Sequence, residues 1–415
     1  MPRKMKDSGI EWIGEIPEGW EVKKLKYVAQ LNPAFKRGKI GDVEVSFIPM
    51  ECLGNNNFSF KNAKLDDVIN SYTYFADNDI IMAKVTPCFE NGNIAQVNNL
   101  INGIGFGTTE IYVFRSLLIN SKYLLYSLQS EDFRQNAIST MYGTGGLKRV
   151  SSYFIANYKF VMPSSNTQTN ISKFLDLKCS AIDKSIELQE LSIEKLQEYK
   201  KAIITEIVTK GLNPNVLMKD SGIEWIGEVP ESWRISRVRN EFNNLDGLRR
   251  PVNSENRGDM EGQYPYYGAS GIIDKINDYI FENPYILIGE DGANLKFRNL
   301  PLIYIGEGKY WVNNHAHILD PVDHNHLQYM AYQLECVDLS NFITGSTQPK
   351  LTQGNLSIIP VIVPTLSEQQ AIVAYLNKKC ATIDKTIAER QGLIEKLTEY
   401  KKSLIYEAVT GNVEV

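Results

Sequence analysis

The sequence predicts an α+β protein written twice, in which two unlike mixed blocks are each led by a short recurring segment and followed by a long recurring helix. Three observations predict it. MKDSGIEWIGEIPEGW at 5–20 returns as MKDSGIEWIGEVPESW at 218–233, with two positions changed. IEKLQEYKK at 193–201 returns as IEKLTEYKK at 394–402, and KCSAIDKSI at 178–186 matches KCATIDKTI at 379–387. Between the repeats lie two blocks, about 21–165 and 234–366, that share little sequence. Self-similarity at this scale fixes the architecture before any single element is read.

In chain order the organisation is a recurring segment at 1–20 and a variable block at 21–165, then a central region at 166–217 carrying the first long helix. A second recurring segment follows at 218–233, a second block at 234–366, and a C-terminal region at 367–415 with the second long helix. Gly, Asn and Pro punctuate both blocks, which signals many turns between short strands. The strand-like runs are Asp79–Val85, Thr109–Arg115 and Phe160–Met162 in the first block. Those of the second are Tyr285–Gly289, Leu302–Ile305 and Ile358–Val363. One late amphipathic helix is expected in each, near 121–136 and 325–341. LGNNNFSFKN (53–62) and PCFENGN (87–93) read as loops.

The long helices carry apolar residues at spacings of three and four. The first has Leu175, Cys179, Ile182, Ile186, Ile193, Leu196, Ile203 and Ile207; the second has Leu376, Cys380, Ile383, Ile387, Ile394, Leu397, Leu404 and Ala408. This is a coiled-coil seam, interrupted at matching places by Gln189 and Lys200, and by Arg390 and Lys401. Polar residues in a seam weaken it but fix its register. Each helix should span nearly 40 residues, roughly 55–60 Å at 1.5 Å per residue. Gly211 and Gly411 stand where C-terminal caps are expected. If the helices act as a spacer, deleting Glu194–Gln197 should shorten one by about 6 Å and turn it by about 40°.

Bulk properties leave the class open. A chain of 415 residues has room for two or three domains. No apolar run is long enough to span a bilayer, and MPRKMKDSGIEW lacks the apolar stretch of a signal peptide. Five scattered cysteines, with no CxxC pair, argue against a disulfide framework or a cysteine zinc site and fit a reducing cytoplasm. A net charge of −5 neither supports nor excludes a nucleic-acid partner, because basic residues can gather on one face.

The arrangement resembles the specificity subunit of type I restriction–modification enzymes along essentially the whole chain. The residues that carry the resemblance are the duplicated GIEWIGE(I/V)PE and IEKLxEYKK segments and the block endings GTGGLKRVSSYFIANYKFVMP (143–163) and GSTQPKLTQGNLSIIPVIVP (345–364). The second ending runs into SEQQ (367–370), as is usual in that family, whereas the first runs into SSNTQTN. KVTPCFENGNIA (84–95) and YPYYGASGIIDK (264–275) also look like segments of such proteins. The resemblance implies that each block is a target-recognition domain and that the two helices pair antiparallel as a spacer, giving a pseudo-twofold internal repeat. It implies double-stranded DNA as a ligand, two methyltransferase subunits docked on the conserved helices and, for cleavage, two ATP-driven restriction subunits. No cofactor is expected on this chain; S-adenosylmethionine, ATP and Mg2+ would bind the partners.

Two unlike domains on one frame suit a bipartite, asymmetric target. The repeated parts must meet identical partners, and the divergent parts must meet different DNA. Groove contacts are expected from polar residues on Gly-rich loops, with Lys and Arg suited to phosphate or guanine and Asn to adenine. In the first block these are Lys84, Thr86, Asn91 and Asn93, with Lys148 and Arg149 behind the GTGG turn. In the second they are Arg249, Arg250, Arg257, Tyr266, Tyr267, Ser270, Asn294, Lys296, Arg298, Asn313, Asn314, His315 and Lys350.

Several strings suggest catalysis instead. NPAF (32–35) is similar to the Asn/Asp-Pro-Pro-aromatic motif of adenine methyltransferases, but its second proline is missing. GIGFG (103–107) is similar to a methyl-donor loop, but it runs into the strand-like TTEIYVF where such a loop should open a helix. His315, His317, His324 and His326 have a spacing that could ligate zinc, though a strand end followed by a helix start explains them as well. No catalytic residue and no metal ligand is therefore assigned. Two rival readings remain: a protein-binding scaffold with two variable domains on a coiled coil, and a self-sufficient DNA methyltransferase.

Overall fold

The computed structural model describes residues 3–36, 41, 43–144, 146–298 and 300–415. They form two compact units, 1–190 with 391–415, and 191–390. Each unit therefore holds one variable block, the start of the helix that follows it, and the end of the other copy's helix.

Unit 1 opens with a hairpin of β1 (Met5–Asp7) and β2 (Glu15–Pro17). The frame continues with β3 (Glu21–Lys24), β4 (Ala29–Leu31), β5 (Ile80–Ala83), β6 (Ile94–Gln96) and β7 (Ile111–Ser116). Three short helices follow, α1 (Ser121–Gln129), α2 (Glu131–Ser139) and α3 (Ser152–Asn157). They lead into β8 (Lys159–Met162) and the long helix α4 (Ser165–Lys210). The central sheet has the order β4-β7-β5-β6, antiparallel throughout, and β8 pairs with β3.

Unit 2 repeats this plan. A hairpin of β9 (Met218–Asp220) and β10 (Glu228–Pro230) precedes β11 (Arg234–Arg237), β12 (Phe242–Asn244), β13 (Tyr285–Gly289), β14 (Ile303–Gly306) and β15 (Ala316–Pro321). Then come α5 (Leu327–Cys336), α6 (Gln353–Ile358), β16 (Pro360–Val363) and the long helix α7 (Leu366–Thr410). The sheet order β12-β15-β13-β14 and the pair β16–β11 reproduce unit 1 strand for strand. The helices after the sheet differ, since Glu131–Ser139 has no counterpart in unit 2, and so do the insertions. Unit 1 adds a four-stranded sheet from Glu44–Ile48, Lys61–Lys64, Thr73–Ala76 and Ile104–Gly107. Unit 2 adds three strands, Glu261–Gly268, Gly271–Ile276 and Trp311–Val312.

The expected strands are present with shifted ends, one of them at Ile358, and two helix expectations need correction. The helix near 121–136 is two helices, because Ser130 adopts an extended backbone and its Oγ accepts the Phe133 N–H as a new N-cap. Ile358 belongs to α6, not to the strand after it. The long helices have 46 and 45 residues, about 70 Å each at 1.5 Å per residue. Their first turns are polar and so invisible to apolar periodicity. Side-chain caps start them: Ser164 Oγ accepts from Thr167 N–H, and Thr365 with Glu368 forms a reciprocal capping box.

The helices run antiparallel. In unit 1 Lys401 donates to Asp183 at 2.6 Å, and in unit 2 the equivalent Lys200 donates to Asp384 at 2.7 Å. The two lysines that interrupt the seam therefore serve it, each as a bridge to the other helix. Around them Leu175, Cys179, Ile182, Leu376, Cys380, Ile383, Leu404 and Ala408 are buried, whereas Ile186, Ile193, Leu196, Ile387, Ile394 and Leu397 are only half-buried.

Each helix is fixed at both ends by repeated devices. At the start, buried Gln168 accepts the Asn120 N–H and donates to Pro163 O, and buried Gln369 does the same with the His326 N–H and Pro364 O. Thus SSNTQTN and SEQQ place the same glutamine in the same joint. At the end, Gly211 and Gly411 adopt φ of +78° and +82° and lie against Trp233 and Trp20. A Cβ on Gly411 would come within 2.6 Å of Pro17. Tyr123 and Tyr329 complete the pattern, donating to Val409 O at 3.0 Å and to Val208 O at 3.2 Å.

In unit 2 a buried carboxylate welds the block to its frame. Glu241, 1% exposed, accepts from Arg234, Asn325 and His324. Burial alone would raise its pKa, but these donors and Ser236 outweigh it and bring it from 4.5 to about 2. A carboxylate depressed in the folded state adds stability above its unfolded pKa and loses it as pH falls towards the folded one. Glu241→Gln should therefore cost about 3 kcal/mol at pH 7, with the gap to wild type closing between pH 4.5 and 2. Urea unfolding at several pH values measures it, and a gap independent of pH would refute it.

Candidate nucleic-acid interface

At one end of each central sheet, three segments are knitted into a single surface. In unit 1 these are the loop after β5, the residue before β7 and the turn before α3. Lys84 N–H donates to Glu110 O, Val150 N–H to Lys84 O and Thr86 N–H to Lys148 O. The Thr86 hydroxyl donates to Gly146 O at 2.7 Å and accepts the Lys148 N–H at 2.9 Å. Arg149 holds Glu110 through two bonds of 2.9 Å, which keep that carboxyl below its usual range against the effect of burial.

Unit 2 joins the same three segments by the same main-chain bonds. Glu290 N–H donates to His315 O, and Leu351 N–H to Glu290 O. Its side chains differ. Glu290 binds Arg249 at 2.6 Å and Lys350 at 3.0 Å, while Asp246 takes the Ile318 N–H, His317 Nδ1 and Gln353. Burial pushes both carboxyls upward, but these donors prevail and both sit below their ordinary values. Asp246, Glu290 and His317 are close enough to hold a metal ion. The oxygens they would offer already face Arg249, Lys350, the His317 ring, Gln353 and the Ile318 amide, so the chemistry is that of an ion-pair network.

These bonds sort the residues singled out in the sequence. Asn91 and Lys148 in unit 1 are open to solvent, with Lys84 and Asn93 half-buried beside them. Arg250, Ser270, Lys296, Asn314, His315 and Lys350 are open in unit 2, with His315 steadied by Asp291 at 2.7 Å. The others are buried or have their polar atoms engaged within the chain. Thr86 is buried, as are Asn313, which accepts the His315 N–H, and Tyr267, which packs on Tyr310. Tyr266 is fully buried and bonded to Val252. Arg149, Arg249 and Arg257 are tied to Glu110, Glu290 and Asp274. Asn294 binds Leu300 and Pro301, and Arg298 binds the carbonyls of Glu335 and Val337. Sequence reading missed Tyr142, Leu147, Leu248 and Phe297, which are exposed on or beside the same segments. The available signal was an apolar residue in a turn with no periodic partner. Gly145, inside the GTGG turn, lies outside the described residues.

The decoys resolve as structure. Asn32 of NPAF extends the β4–β7 pairing by accepting the Val113 N–H. GIGFG forms a strand, with Gly105 facing the Phe75 ring where no Cβ would fit. His315, His317 and His324 each pair with a separate carboxylate rather than converge.

Comparison with known proteins decides the family. The model of the type I restriction modification DNA specificity domain matches residues 17–198 and again 230–399. The chain belongs to this family. The two matches of the specificity domain coincide with the two copies of the structural frame. Among its relatives is the type I restriction enzyme EcoAI specificity subunit of Escherichia coli, 35% identical over 56% of this chain. The EcoEI specificity subunit of the same species is 31% identical over 56% of this chain. The matched stretch is 37% of the length of either relative. A solved chain from work on complex assembly and conformational transition of the type I R-M system has the same fold. It is 16% identical with a TM-score of 0.75, over 96% of this chain and 99% of that one.

Proposed function

We propose that the chain is the DNA-sequence specificity subunit of a type I restriction–modification complex. The observation that carries this reading is one strand frame repeated in both units, presenting equivalent surfaces whose side chains differ. Base edges specify and phosphates position, so equivalent surfaces with different polar tips suit two unlike half-sites. Lys148 and Lys350 occupy the same turn in the two units and suit phosphate or guanine. Asn91, Asn314 and His315 differ between the units and are the candidates for reading bases.

In this reading the chain is not itself catalytic. Two methyltransferase subunits modify adenine, one at each half-site, and two restriction subunits add ATP-dependent cleavage. S-adenosylmethionine, ATP and Mg2+ bind those partners, and the complex works in the cytoplasm. Among the described residues no helix is long and apolar enough to cross a membrane. The test is methylome sequencing of cells with and without the gene. A bipartite adenine-methylated motif should vanish with the gene; its persistence would overturn the reading. Methyl transfer by the highly purified chain alone, at rates like the complex, would favour the self-sufficient methyltransferase instead.

A further inference from the structure

The two units tie the same turn to the central sheet at the same place, with different chemistry. Tyr112 is the second residue of β7, and His317 is the second residue of β15. Each is buried and faces an equivalent carbonyl, that of Val150 or of Leu351. These two are equivalent because Val150 N–H donates to Lys84 O just after β5, and Leu351 N–H donates to Glu290 O just after β13. The Tyr112 hydroxyl donates to Val150 O at 2.8 Å, and His317 Nε2 lies 2.8 Å from Leu351 O. Val150 follows Lys148 and Arg149, and Leu351 follows Lys350, so both ties hold the turn of the candidate nucleic-acid surface. Burial pushes the Tyr112 phenol up to about 12, so the hydrogen it donates stays in place. The imidazole has no such guarantee. Its Nδ1 lies 2.6 Å from Asp246 Oδ2, and a carboxylate and a carbonyl can only accept. Both bonds therefore exist only while the ring carries two protons. A neutral ring that keeps its hydrogen towards Asp246 turns a lone pair on Leu351 O.

We propose that His317 is a positioning residue for the half-site read by unit 2, holding the turn at Lys350 only in its imidazolium form, whereas Tyr112 holds the turn of unit 1 whatever the physiological pH. This rests on the function proposed above and makes one of its two readings depend on protons. The charged groups that face the ring are Asp246, Glu290, Arg249 and Lys350. Asp246 also accepts from the Ile318 N–H and from Gln353. Glu290 lies 3.7 Å from His317 Nδ1 and is held by Arg249 and Lys350. Arg249 reaches Asp246 as well, at 3.5 Å. Both carboxyls sit below their ordinary values despite their burial, so they accept and do not donate. That leaves the imidazole, a group that changes charge in the physiological range, as the variable. The tie is present on the acid side and is lost as pH rises.

The test uses the full chain in complex with its methyltransferase subunits and a duplex carrying the methylated motif, with each half-site altered in turn. Discrimination at a half-site is the ratio of the Kd values for altered and intact duplex. This ratio cancels effects of pH on the partners and on phosphate contacts, which both duplexes share. Between about pH 5.5 and pH 8.5 discrimination at one half-site should fall about tenfold, the worth of one charge-assisted hydrogen bond, and at the other it should stay level. His317→Gln, whose amide can donate to Leu351 O without titrating, should remove the slope. Nitrogen-15 NMR of the wild-type chain labelled at its four histidines reads the ring without any substitution. At about pH 5.5 the His317 ring should show both of its nitrogens protonated. A ring protonated on one nitrogen there, equal slopes at the two half-sites, no slope at either, or a slope that survives in the glutamine variant would overturn the proposal. Absence of discrimination at both half-sites at every pH would instead overturn the function on which it rests.

Discussion

Exchanging residues 21–165 for the corresponding block of another family member should change one half of the methylated motif and leave the other half intact. The boundaries fall on either side of the β3–β8 pair, so both strands travel with the block. Of the joints that remain behind, Gln168 engages Asn120 N and Pro163 O, bonds available to any sequence with the same backbone, whereas Ser172 and Asp176 hold the side chains of Asn120 and Tyr126. Tyr123, which travels, reaches Val409 through its carbonyl. A donor block that keeps Asn and Tyr at those places should therefore seat without redesign. Each mismatched base pair costs about 1–3 kcal/mol, so three of them disfavour the old half-site by roughly a hundredfold or more. The methylome of cells carrying the chimera measures it. A change in both halves, or a continuous motif, would show that reading is not divided between the units.

The second large effect concerns Glu290. It holds Arg249 at 2.6 Å and Lys350 at 3.0 Å, and both Glu290 and Arg249 are little exposed, at 11% and 12%. Glu290→Ala removes the shorter of two carboxylate partners and leaves Arg249 with Asp246 at 3.5 Å, so the cost is that of a lost charge-assisted hydrogen bond, about 1.5–3 kcal/mol. It also frees Lys350 from the surface. Unit 2 should lose this stability while unit 1 keeps its own. Hydrogen exchange separates the two: protection should fall across β13 and remain across β5. Equal loss in both, or none in either, would contradict the independence of the networks.

Much of this was legible in the sequence because repetition is a long-range signal. The recurring segments and the seam gave the order of parts, and Gly211 and Gly411 gave the helix ends. What stayed hidden was set by tertiary partners. Nothing local distinguishes Arg249, locked beneath the surface, from its neighbour Arg250, which is open. Tyr266 and Tyr267 look like exposed aromatics on a turn, yet the strand at Glu261–Gly268 turns both inward. The break at Ser130 depended on one hydroxyl finding one amide, where periodicity saw a continuous apolar face.

The anchoring of each long helix at both ends has a consequence for how such a chain can vary by inheritance. Gln168 and the Gly211–Trp233 contact bound the first helix, and Gln369 and the Gly411–Trp20 contact bound the second. Insertions near these anchors would strand a buried amide or drive a side chain into an indole. Between them lie Ile186, Ile193 and Leu196, which are only half-buried. Mutations that add or remove a turn should therefore survive in that middle stretch and be purged at its ends. Length would then be a heritable variable separate from the two variable blocks, so a lineage could alter it while inheriting both blocks unchanged.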